Sequence, residues 1–60
     1  AIKYLKKAYD KDPDPEIAAH YGEALWVLGQ TQKAQAIWHK ALKKDPEHRV
    51  LIGTTSRYLK

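Results

Sequence analysis

Sixty residues with eleven Lys and Arg, seven Asp and Glu and no cysteine make one small domain at most, of a size that buries only about 60% of its unfolded surface. With no cysteine there is no disulfide and no thiolate zinc site. No apolar run approaches the roughly 20 residues of a membrane span, and no signal-peptide pattern is present. The net charge of +4 is uneven: residues 1–30 carry four lysines against five acids, and residues 31–60 carry seven Lys or Arg against two acids. A basic second half suits an acidic partner or a solvated helix face, and the second reading is the simpler.

Along the chain, Ile2, Leu5, Ala8 and Tyr9, with Tyr4 alongside, have helical spacing from Ala1 to about Lys11. Asp12-Pro13-Asp14-Pro15 ends that helix, because proline lacks an N–H and pushes the preceding residue out of the α region. The same stretch opens a second helix, over about 15–28. Asp14 is its expected N-cap, Pro15 its first residue, and Glu16 suits the positive end of its dipole. Ile17, Tyr21, Ala24 and Leu28, with Ala18 and Leu25 beside them, form its stripe. Gly29 is the expected left-handed terminator. A third helix runs over about 31–44 with Thr31 as its expected cap and a stripe of Ala34, Ile37, Trp38, Ala41 and Leu42. Lys43 and Lys44 sit at its negative end, and Asp45-Pro46 stops it. A fourth helix is expected over about 47–59 on the spacing of Val50, Leu51 and Tyr58, across a poor helix-forming run, Gly53 to Ser56.

The chain also resembles itself. Ala1, Lys7, Ala8, Lys11, Asp12 and Pro13 recur as Ala34, Lys40, Ala41, Lys44, Asp45 and Pro46, each 33 residues later. A period of this length with two helices per period is the mark of a stacked helical repeat. The residues Ala18-Ala19-His20-Tyr21-Gly22, then Leu25, Gly29, Ala34, Trp38, Ala41 and Pro46, resemble the tetratricopeptide repeat. Gly22, Ala34, Ala41 and Pro46 fall on that family's small-residue and proline positions, and Trp38 on its second-helix aromatic. Tyr21 stands where the family has Leu, Leu25 where it has Tyr, and Ala18 where it has Trp.

The resemblance implies an all-α chain of antiparallel helix–turn–helix units stacked as an alpha-alpha superhelix. Residues 15–48 would be one complete repeat, 1–12 the second helix of a preceding one, and 47–60 a C-terminal capping helix whose Thr and Ser suit a polar outer face. The amphipathic pattern is already running at Ala1, so the sequence reads as a piece of a longer array, and the capping character of the last helix places it at or near the C-terminal end. The small residues fit independently, since Gly22, Ala34 and Ala41 remove bulk where helices must approach closely.

No catalytic constellation accompanies the repeat. His20, His39 and His48 include no pair at the i, i+4 spacing of a helical zinc site. Thr54, Thr55 and Ser56 have no nearby base, the glycines form no phosphate loop, and the acids cluster in caps and turns. Neither enzymatic activity nor a metal or cofactor is expected. Lys33, Lys40, Lys43, Lys44, Arg49 and Arg57 raise nucleic-acid association as an alternative, but the one interleaved aromatic, Trp38, belongs to an apolar stripe. Protein or peptide recognition remains. Glu16, Ala19, Glu23, Trp26 and Gln30 share a face of the second helix away from its stripe, and the resemblance puts that face in a concave groove. Trp26 would serve there as an anchor, or it would pack on the next helix. A purely structural capping role is the other alternative. Ile2, Tyr4, Leu5 and Tyr9 lack a partner on one side, so a homodimer or a helix exchange through the first helix is expected.

Overall fold

The computed structural model describes residues 2–59. It is all-helical: α1 Ile2–Lys11, α2 Pro15–Val27, α3 Thr31–Lys44 and α4 Arg49–Tyr58, with no strand among the described residues. Ala1, a repeat position, and Lys60, one of the basic residues of the second half, lie outside them.

The start of α2 follows from the sequence. Asp14 is extended (φ −62°, ψ 143°) and its Oδ1 accepts from the Glu16 N–H at 2.8 Å, with Pro15 at the first helical position. A cap of this kind contributes about 1 kcal/mol. The end of α2 is a Schellman motif. Gly29 has φ 91°; its N–H donates to Trp26 O, and the Gln30 N–H to Leu25 O, both at 2.9 Å. The helix therefore closes at Val27, and Leu28 is its C-cap. Thr31 is not a cap. The N-cap of α3 is Gln30, which makes no side-chain capping bond, because the left-handed turn at Gly29 leads straight into the helix.

α4 is shorter than expected and turned differently. The helix takes in Gly53 to Ser56, but Thr54 and Thr55 are buried, while Val50 and Ile52 are 37% and 43% exposed. Of the Thr and Ser expected on an outer face, the two threonines are inside and Ser56 is outside, with Arg49 and Arg57. Thr55 can go inside because its hydroxyl donates to Leu51 O at 2.9 Å and Ile52 O at 3.2 Å, leaving no unpaired donor.

α2 is the hub. It packs against α1, α3 and α4, and α3 also packs on α4, whereas α1 packs mainly on α2, with Tyr9 reaching the end of α3 beside Lys40, Ala41 and Lys44. Being covered on several sides, α2 buries a broad arc, Ala18, Ala19, Tyr21, Gly22 and Leu25, rather than the expected stripe, from which Leu28 emerges 58% exposed. The α3 stripe is as expected: Ala34, Ile37, Trp38 and Ala41 are buried, and Leu42 packs on the core from its edge. Trp38 is fully buried and its Nε1 donates to Ala19 O at 3.3 Å. Its ring lies where a side chain on Gly22 would be. A Cβ there would stand 2.6 Å from Trp38 Cε2 and 2.8 Å from Cδ1, and nearer still to Nε1. The Cα extents of 27 × 24 × 15 Å describe a slab about two helices thick at the usual 8–10 Å interaxial spacing, so the outer helices keep free faces.

Candidate protein-interaction face

The five residues expected to form a groove on α2 do not act as one exposed surface. Glu16 and Gln30 are exposed, but Ala19 is buried and Trp26 and Glu23 are half-buried. α3 and α4 cover them. Trp26 stacks on Trp38 (ring centroids 5.7 Å apart, planes 24° apart), Tyr58 stacks on Trp38 (5.6 Å, 24°), and Trp26 meets Tyr58 at 5.4 Å with a 47° tilt. The three rings form a closed triangle joining α2, α3 and α4, at spacings where aromatic pairs attract beyond simple burial. Trp26 is thus a packing residue.

Glu23 is likewise engaged. Its Oε2 accepts from the Tyr58 hydroxyl at 2.7 Å and from Arg57 Nη2 at 3.4 Å. The hydrogen bond to Glu23 holds the Tyr58 phenol above its ordinary 10.0, with burial and the Glu23 charge acting the same way and Arg57 opposing them. A raised phenol means that the neutral form favours the fold. The contribution is complete below pH 10 and is lost as pH rises through the raised value. Tyr58→Phe should therefore melt at a lower temperature than the parent near neutral pH, and the gap should close in strongly alkaline buffer. A gap that stays constant with pH would show that the bond to Glu23 is not its source.

An opening lies between α1 and α2. Ile2 and Leu5 of α1 and His20, Glu23, Ala24, Val27 and Leu28 of α2 line an open, mainly apolar cleft of about 470 Å³. Val27 is 74% and Leu28 58% exposed. Of the α1 residues expected to lack a partner, Tyr9 packs on Tyr21 with centroids 5.4 Å apart, and Ile2 and Leu5 are partly buried against the core. Ile2 and Leu5 face the cleft, and Tyr4, 74% exposed, projects into solvent. Val27 belongs neither to the stripe nor to the acidic face, so periodicity does not single it out. A β-branched apolar residue off the stripe, just before a Leu-Gly terminator, is the signal the sequence offers.

The lysines of α3, Lys33, Lys40, Lys43 and Lys44, are exposed. Among the described residues no three His, Asp or Glu side chains gather as a metal site would need, and no helix is long and apolar enough to cross a membrane. The chain matches no protein-family model, no curated protein and no solved structure.

Proposed function

We propose that this chain is a tetratricopeptide-type segment of a stacked alpha-alpha superhelix, serving as a protein–protein interaction scaffold with no catalytic activity of its own. Residues 15–48 are one repeat in this reading, residues 1–12 the second helix of the repeat before it, and residues 47–60 the helix that follows. The interlock of Gly22 with Trp38 and the hub position of α2 support it, since stacked repeats touch only their neighbours.

The observation that carries the binding role is the open apolar cleft between α1 and α2. An apolar groove between two helices is a natural seat for the apolar face of a third, read out at i, i+3, i+4 and i+7. The face formed by Glu16, Ala19, Glu23, Trp26 and Gln30 contributes less, because α4 occupies its middle and leaves Glu16 and Gln30 at the edges.

The test is selection of a displayed library of amphipathic helical peptides against the folded chain. Enriched peptides should share an apolar stripe at helical spacing and should bind the Val27→Lys variant at least about tenfold more weakly. A library that yields no common stripe, or peptides indifferent to Val27→Lys, would sink the reading.

A further inference from the structure

Charge is sorted between the helices. α1 and α3 carry eight lysines against one acid, Asp10, while α2 and α4 carry two acids against two arginines. All eight lysines are exposed. Among the described residues only Lys6 of them is in an ion pair, with Asp10 at 3.0 Å. The remaining acids, Asp12, Asp14, Asp45 and Glu47, lie in the turns that follow α1 and α3. The 33-residue period carries Lys7 onto Lys40 and Lys11 onto Lys44. Both helices turn corresponding positions inward, Leu5 and Tyr9 in one and Trp38 and Leu42 in the other. Tyr9 and Pro13 share a notch with Lys40, Ala41 and Lys44, so the two lysine rows form one basic face. These lysines are placed against the helices' own stability. Lys33 stands in the first turn of α3, where the dipole disfavours a cation and where α2 has Glu16 instead. Lys3 with Lys7, Lys7 with Lys11 and Lys40 with Lys44 set like charges four residues apart, which weakens a helix about as much as an opposite pair strengthens it. A bound polyanion would offset that cost.

We propose that the lysine face of α1 and α3 binds the phosphate backbone of a double-stranded nucleic acid without reading its sequence. The cations are lysines alone, compact charges suited to phosphate. Arginine, whose fork pairs with carboxylates and which is enriched at protein interfaces, is confined to α4. The face has no apolar anchor. Val27, Leu28, Val50 and Ile52 are exposed on α2 and α4, while the apolar sides of α1 and α3 lie in or against the core and leave nothing to enter a bilayer. Tyr4 is exposed on α1, but it stands where Ile37 is buried in the second period, off the repeated lysine row. The bases of a single strand would therefore find nothing to stack on. A duplex asks only for charge and presents one phosphate per about 1.7 Å of its axis. The row of Lys33, Lys40 and Lys44 runs about 16 Å along α3 at the helical rise. Further helices in the register of the repeat would lengthen this face, not cover it. The inference goes beyond the scaffold reading and uses a surface separate from the α1–α2 cleft.

Fluorescence anisotropy of a labelled random-sequence DNA duplex, titrated with the full 60-residue chain at several salt concentrations, tests this. Binding should be micromolar or tighter in low salt. Log affinity should fall against log salt with a slope of about −3 or steeper, the mark of several phosphates neutralised. Lys7→Gln and Lys40→Gln should each take about one unit off that slope, and together they should weaken low-salt binding at least about tenfold. Both positions are exposed, so helix content by circular dichroism should hold. Should it fall, Lys3→Gln and Lys33→Gln, also exposed, take their place. Arg57→Gln removes a charge turned toward Glu23 on α2 and should leave the slope unchanged. Absence of binding, a shallower slope, or equal losses from Arg57→Gln and Lys40→Gln would each overturn the proposal. So would tighter binding, at the same salt, to a single strand of the same sequence, to phosphatidylserine-rich vesicles or to polyglutamate, since these point to base stacking, a membrane or an acidic protein segment in place of the duplex.

Discussion

Trp38→Ala should leave the chain largely unfolded at room temperature. The indole is fully buried, donates to Ala19 O, and holds two sides of the aromatic triangle with Trp26 and Tyr58. Truncating a buried Trp to Ala costs about 3–5 kcal/mol. At roughly 0.05–0.15 kcal/mol per residue, a chain of this length has only about 3–9 kcal/mol to lose. The loss would be felt on three helices at once, because the ring is the piece that α2, α3 and α4 share. Chemical denaturation followed by circular dichroism measures it. A variant that loses less than about 1 kcal/mol, the range of an ordinary exposed substitution, would show that the triangle does not hold the helices together.

Gly22→Ala should be the second most damaging single change, although alanine is the better helix former by about 1 kcal/mol. The added methyl would meet the Trp38 ring at 2.6 and 2.8 Å, closer than carbon atoms approach, and overpacking of this sort costs about 1–3 kcal/mol beyond what the helix gains. The Trp38 ring cannot simply swing aside, since it is bounded by Trp26, Tyr58 and the Ala19 carbonyl. The decisive measurement is a double-mutant cycle with Trp38→Leu. With a smaller residue at 38 the clash disappears, and Gly22→Ala should become neutral or stabilising by up to about 1 kcal/mol, a coupling at the upper end for residues in contact. Equal effects in the two backgrounds would mean that Gly22 is required by the backbone and not by the ring.

The helices were legible in the sequence because their boundaries are written in local chemistry. Asp14-Pro15 starts one helix, Gly29 ends it, and Asp45-Pro46 ends the next, and each acts through its own backbone within a few residues. The α3 stripe was legible because that helix buries one side only. The α2 stripe was not, because a helix covered by three neighbours hides most of its circumference, and a periodicity argument assumes that one side faces water. Glu23 and Trp26 were assigned to an open face for the same reason. Their partners, Arg57 and Tyr58, lie 32 to 35 residues away, and no local pattern announces a contact of that range. Thr54 and Thr55 misled through composition, since a hydroxyl returned to its own helix is no longer polar to its surroundings.

The attachment of α1 mainly through α2, with Tyr9 alone reaching α3, has a consequence for how the chain opens. The remaining three helices enclose the aromatic triangle among themselves, so α1 can lift away without breaking a ring contact other than Tyr9 with Tyr21. Local stability then falls off toward the N-terminal helix, whose amides should trade their protons for solvent deuterons soonest. Those of α2 and α3 should hold theirs until the whole unit comes apart.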